Sequence, residues 1–157
     1  MLLPFFIKTK NMDPIQRSYL IEVNFGNTVP GNGVNINFQD YPQLRNIFLT
    51  GVTVSDNNTV AISPSGKNVV TDLSGIAVTL MDTFNMEVVK NYPAKELDPY
   101  YQYGFYRDFK PINLQLTKSY ISILNVGALL ANQSVMINFL YVPLKDWSKY
   151  KNVYGIR

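Results

Sequence analysis

Pro111–Pro143 reads PINLQLTKSYISILNVGALLANQSVMINFLYVP, and its alternation decides the fold class. Ile112, Leu114 and Leu116 alternate with Asn113, Gln115 and Thr117. Ile121 and Ile123 alternate with Tyr120, Ser122 and Leu124, and Val135, Ile137, Phe139 and Tyr141 with Met136, Asn138 and Leu140. A side-chain period of two, carried by β-branched and aromatic residues, belongs to strands with a face in a core. The stretch predicts two or three strands in tandem, with residues 125–132 as a loop turning at Gly127. Met136 and Leu140 make the second face of Val135–Tyr141 apolar as well. That strand is therefore expected in the middle of the molecule, covered on both sides.

Outward from this stretch, the same pattern predicts strands at 15–25, 34–38, 45–54, 59–62, 75–82 and 86–90, with 67–74 either strand or loop. Tyr19, Ile21, Val23 and Phe25 share the core face of the first. Gly51 predicts a bulge in the third. The punctuation is dense: Pro30-Gly31-Asn32-Gly33, Asp40-Tyr41-Pro42, Asp56-Asn57-Asn58 and Pro64-Ser65-Gly66 are turn chemistry. Thr83-Phe84-Asn85 turns 75–82 back onto 86–90 as a hairpin. Pro93 to Pro99 predicts one short helical turn between prolines. The fold class that results is all-β: an antiparallel β-sandwich of about eight strands.

At 157 residues the chain can bury a full core in one domain. We place that domain at 14–143, between an N-terminal arm, 1–13, and a C-terminal arm, 144–157. Charged residues make up only 16% of the chain, against about 25% in an ordinary soluble domain. Such a deficit means either an unusually large uncharged polar surface or a surface covered by partners, and 11 Tyr and 9 Phe favour strands and interfaces. The net charge of +3 is too small to argue for nucleic acid.

Both arms carry aromatic residues beside basic ones. Leu2, Leu3, Phe5, Phe6 and Ile7 form an apolar patch followed by Lys8 and Lys10. It reads either as a first strand on its own core or as an arm docking on a neighbouring subunit or a membrane surface. Pro4 and the lack of a basic start and of a small-residue cleavage site argue against a signal peptide. In the tail, Trp147, Tyr150 and Tyr154 interleave with Lys145, Lys149, Lys151 and Arg157. The readings are a solvated tail partly packed by Trp147, an arm on a neighbouring subunit, or a contact with acidic groups. Four screened charges are few for the last.

The chain lacks His and Cys, which excludes a histidine base, a histidine or thiolate metal site and a thiol nucleophile. The acidic residues are scattered, Glu96 and Asp98 being the nearest pair, and nothing sets two carboxylates across a cleft as glycoside hydrolysis requires. Asp56-Asn57-Asn58 lacks the remaining ligands of a calcium loop. Gly26, Gly31 and Gly33 precede no helix, so no phosphate loop is present. We expect no enzyme activity, no metal and no cofactor. The run Tyr100–Tyr106 is the best candidate for a specific surface, reading first as core or subunit interface and second as a stacking platform for sugars.

The run VTLMDTFNMEVVKNYPAKEL (Val78–Leu97), followed by INLQLTKSYISILN and SVMINFLYV, resembles capsid proteins of tailless icosahedral bacteriophages with an internal membrane. In that lineage the major capsid protein carries two jelly rolls, and a single-jelly-roll protein closes the five-fold vertices as a penton. The resemblance spans about residues 15–142. It implies a single jelly roll, located in the virion as penton or minor capsid protein. The implied partners are copies of itself, a pentamer first, the neighbouring major capsid protein, and the membrane for the termini. Phe5, Phe6, Tyr101, Tyr103, Phe105, Trp147 and Tyr150 are the expected interface residues. The alternative is a carbohydrate- or receptor-binding module of a fibre or spike, exposing Tyr100, Tyr101 and Tyr103. One feature departs from the family pattern: a tight hairpin joining 75–82 to 86–90 is not expected between the sixth and seventh strands of a strict jelly roll.

Overall fold

Gln133–Pro143, numbered β9 below, is the strand on which the first of two sheets is built. The computed structural model describes residues 16–98 and 107–154, without the side chains of 107–110 and 153–154. Its strands are β1 (Arg17–Asn24), β2 (Asn35–Asn37), β3 (Ile47–Ser55), β4 (Asn68–Val69), β5 (Ile76–Met81), β6 (Glu87–Pro93), β7 (Arg107–Asn113), β8 (Tyr120–Ile123) and β9. One helix, α1 (Trp147–Tyr154), follows. The first sheet has the order β1-β9-β3-β7, with β4 added beside β9, and the second has the order β2-β8-β5-β6. Apart from the short parallel pair of β4 and β9, the ladders are antiparallel.

The pairing is nested. β5 pairs with β6, β3 with β7, β2 with β8 and β1 with β9. Two further ladders, β3 with β9 and β5 with β8, fold this ribbon into two sheets. The register places the starts of β1 and β3 and the ends of β7 and β9 at one end of the first sheet. The β2–β3, β5–β6 and β7–β8 connections gather there. The β1–β2, β3–β5 and β8–β9 connections gather at the other end.

The alternation in the sequence becomes the core. Ile21, Val52, Val54, Val78, Leu80, Ile121, Ile123, Val135, Ile137 and Phe139 pack in one cluster between the sheets. Each such side chain contributes about 1.5–3 kcal/mol on burial. Phe38 meets Phe139 edge to face, centroids 6.0 Å apart and planes at 80°, tying the segment after β2 to the opposite sheet. Leu49 faces the core, yet so does Val52 three residues on. The register shift between Leu49 and Gly51 absorbs the extra residue, so the expected bulge at Gly51 is present.

β9 is covered on both faces, as its composition requires. Val135, Ile137 and Phe139 face the core, while Ser134, Met136 and Val142, on the other side, are also buried. The β3–β4 connection provides part of the cover. It crosses over β9 and bonds to β1, where Ser65 donates to Glu22 through its amide (3.3 Å) and its hydroxyl (2.5 Å). At the other end of β9, α1 packs Tyr150 against Val142.

Several boundaries correct the sequence reading. Residues 59–62 do not form a strand. The Asp56 side chain accepts from the amides of Asn58 and Thr59 (2.9 and 3.2 Å), which holds the chain in a turn, and Ile62 alone bridges, to Asn68. The strand expected from Ile112 onward instead runs from Arg107 to Asn113, while Leu116–Lys118 forms a 3-10 turn. Pro111 stands inside β7, which among the described residues pairs with β3 alone, and an edge position tolerates a residue without an amide donor. β6 continues past Lys90 to Pro93, with Asn91 at φ 45° in a bulge where its amide donates to Thr79 Oγ1 at 3.0 Å. The turn at Gly127 and the helical turn after Pro93 are present, as 3-10 turns at Val126–Ala128 and Ala94–Leu97.

Candidate assembly surface

The most exposed large apolar side chain among the described residues is Phe84, at 81% of its full accessibility, followed on the same hairpin by Met86 at 64%. Val88, the next outward residue on β6, is exposed as well. These residues sit on a rigid support. The Asp82 carboxylate accepts from the amides of both Phe84 and Met86 at 2.9 Å. The Asp82 amide donates to the Met86 carbonyl at 3.0 Å, and Asn85 takes the left-handed conformation, φ 62°, that closes the turn. The tip is then bound to the β7–β8 connection. Thr83 N–H donates to Asn113 O (3.0 Å), Gln115 N–H to Met81 O (2.9 Å) and Lys118 Nζ to Asn85 Oδ1 (2.5 Å). A loop pinned on two sides holds the backbone at Phe84, so little backbone entropy remains to be lost when it is covered.

β6 and β7 form one flank of the sandwich, and β1 and β2 form the other. Between β1 and β2 lies an open cleft of about 270 Å³ whose lining includes Ile21, Val23, Ile36, Phe38 and Tyr41. Tyr41 is held against Tyr19 at 5.8 Å between centroids. A second cavity, about 340 Å³, lies at the hairpin end over Leu44, Leu114 and Leu116, rimmed by the Asp40–Arg45 ion pair.

The residues singled out from the sequence divide into two groups. Phe5 and Phe6, and Tyr101, Tyr103 and Phe105 with the rest of the aromatic run, lie outside the described residues. Trp147 and Tyr150 lie within them, and both pack on their own domain. Trp147 stacks on Phe48 of β3 at 4.3 Å and 23°, and on Tyr150 at 5.6 Å and 24°. Tyr150 is buried, and Gln16 donates to its hydroxyl at 3.4 Å. Lys145, Lys149 and Lys151 remain exposed.

Glu22 anchors a polar cluster on the outer face of the first sheet. Burial pushes its carboxyl up, but hydrogen bonds from Ser63, Ser65 and Ser134 outweigh this and leave it below the ordinary carboxylate value. Ser63 and Ser65 fasten the crossing loop to Glu22, and Ser134 ties Glu22 to β9. Of the nearest acid pair, Glu96 is exposed and Asp98 buried. Among the described residues no group of acids could hold a metal ion, and no helix is long and apolar enough to cross a membrane.

Sequence reasoning placed the turn at Thr83-Phe84-Asn85 but did not single out Phe84 or Met86. A readable signal was there: turn positions favour Asn, Asp and Gly, and a phenylalanine flanked by them has no core to enter. No family model, curated protein or solved structure matches the chain.

Proposed function

We propose that this chain is a structural virion protein, a single jelly-roll capsid subunit at or near the five-fold vertices, acting without catalysis. The observation that carries this reading is the nested pairing of β1 with β9, β2 with β8, β3 with β7 and β5 with β6. Nested antiparallel pairing of this kind supports a jelly-roll reading of the sandwich, an architecture found in viral capsids, lectins and cupins. On this reading the hairpin is accommodated. With 59–62 not a strand, β5 and β6 are the innermost pair of the ribbon and adjoin in one sheet.

The composition narrows the choice among jelly-roll functions. Without histidine the chain cannot build a histidine metal centre. A low charge density and an exposed Phe84 and Met86 on a hydrogen-bonded turn suit burial against a partner. The subunit therefore works by surrendering apolar surface on assembly, at roughly 25 cal/mol per Å². Its partners are further copies, a pentamer being the expected ring, and the neighbouring major capsid protein, with the termini available to the internal membrane.

The test is sedimentation velocity together with mass spectrometry of purified virions. We expect a closed oligomer in solution and about sixty copies per particle, as five at each of twelve vertices would give. A persistent monomer that is absent from virions would defeat the reading.

A further inference from the structure

We propose that the cleft at the hairpin end of the sandwich is a binding site for a neutral, polyhydroxylated ligand, a single sugar ring. The site needs only one subunit, so it stands apart from the assembly reading above.

Three connections build the cleft. Arg45 and Asn46 come from the β2–β3 connection, Thr83 from the β5–β6 turn, and Asn113, Gln115 and Thr117 from the end of β7 and the turn after it. Loops gathered at one end of a rigid sandwich are where binding groups concentrate. The walls are bonded to one another. Thr83 N–H donates to Asn113 O (3.0 Å), Gln115 N–H to Met81 O (2.9 Å) and Leu114 N–H to Ile47 O (3.3 Å). Asn46 takes the left-handed conformation, φ 51°, and its carbonyl accepts from Leu144 N–H at 2.9 Å. A ligand meets walls already in place, with little backbone left to order.

The chemistry of the lining selects the ligand. Leu44, Leu114 and Leu116 close the floor and are already buried, so recognition falls to the polar rim. The side chains of Asn46, Asn113 and Gln115 have no hydrogen-bond partner among the described residues. Each amide offers donors and an acceptor together, and each hydroxyl of a sugar does the same. Asp40 and Arg45 pair with each other on the rim, which leaves the described lining without net charge. An anion gains little from an arginine already engaged, and a metal ion finds a single carboxylate. An apolar ligand covers the amides without pairing them, which is costly. The described lining holds no aromatic ring, so a flat base has no platform. The cleft measures about 340 Å³. A cavity of about 150 Å³ takes benzene, so a six-membered ring fits here with its hydroxyls.

The test is titration of the isotope-labelled protein with glucose, galactose, mannose and their N-acetylated amino sugars. The readout is the side-chain amide signals of Asn46, Asn113 and Gln115. Inorganic phosphate and a blocked dipeptide amide represent the competing chemistries. We expect at least one sugar to shift these signals saturably, with a Kd of about 1 mM. Asn113→Ala and Gln115→Ala should each weaken that binding about tenfold. Asn57→Ala, in the turn at the opposite end, should leave it unchanged. The β9 amide signals report whether each variant is folded, and if one of the two fails to fold the other carries the comparison. Signals that stay still for every sugar at about 100 mM, far above the millimolar scale of a weak site, overturn the proposal. Saturable binding of phosphate or of the peptide in place of a sugar also overturns it, as does sugar binding that survives the substitutions intact.

Discussion

Trp147 lies parallel on Phe48, ring centroids 4.3 Å apart, and so fastens the chain after β9 to the outer face of the first sheet. Tyr150 continues the stack one turn later, and Gln16, just before β1, reaches both Tyr150 and Thr50. The described part of the tail is a docked helix. Trp147→Ala should cost about 1–3 kcal/mol, read from urea unfolding. Trp147 is the sole tryptophan, so its emission reports the docking directly. A red-shifted, solvent-like native spectrum in the wild type would contradict the stack.

Gly75 marks a place where the backbone admits no side chain. A Cβ there would lie 2.8 Å from the Asn125 carbonyl oxygen and 3.1 Å from the Ala128 Cβ. The β4–β5 and β8–β9 connections touch at this point, and Leu124 N–H donates to Gly75 O at 2.8 Å. Gly75→Ala should destabilise the fold by about 1–3 kcal/mol. Gly31→Ala, with open space around it, serves as the control, and equal melting temperatures for the two would refute the argument.

Asp82 governs how firmly the hairpin tip is held. Asp82→Ala removes the acceptor for two amides and should cost about 1–2 kcal/mol, concentrated at residues 83–87. Hydrogen exchange of the Phe84 and Met86 amides should accelerate while that of the β9 amides falls little. Uniform acceleration across the protein would show the loss to be global instead.

Acid should loosen the loop that crosses the first sheet. Glu22 has a folded-state pKa below its unfolded value, for which the ordinary figure is 4.5. Its contribution is therefore present in full above that figure and is lost as the pH falls through the folded value. Asp72, lowered by hydrogen bonds from Ser74, acts in the same acid window. Urea midpoints measured between about pH 3 and pH 7 should fall at the acid end, and less steeply in Glu22→Gln. Identical profiles for the two proteins would discount the cluster.

The sequence made the sandwich legible because one face of most strands is apolar: Ile21, Val23 and Phe25, or Val135, Ile137 and Phe139, record the core directly. Edge strands were harder. β6 and β7 contain Pro93 and Pro111, and a proline reads as a boundary unless the strand is known to have a free side. The segment 59–62 looked extended, but Asp56 takes its amides into a turn. The helix at 147–154 hid because, among its described side chains, the apolar packing comes from two aromatic residues a turn apart. The candidate surface was least legible of all. Exposure of Phe84 follows from where the hairpin is bound, by Asn113 and Lys118, and no local pattern encodes that.

The strand at the heart of the first sheet is among the last to be made. Among the described residues, until β9 leaves the ribosome β1 has no strand neighbour and β3 has only β7, so the apolar face of the first sheet stays open during synthesis. The β5–β6 hairpin closes over a handful of residues, whereas β1 and β9 must close a loop of more than a hundred, Asn24 meeting Ser134. The order of chain growth thus keeps the sandwich unfinished until its final strand arrives. A nascent chain stalled before residue 133 should remain sensitive to protease and bind chaperones, while one released after α1 should close in a single step.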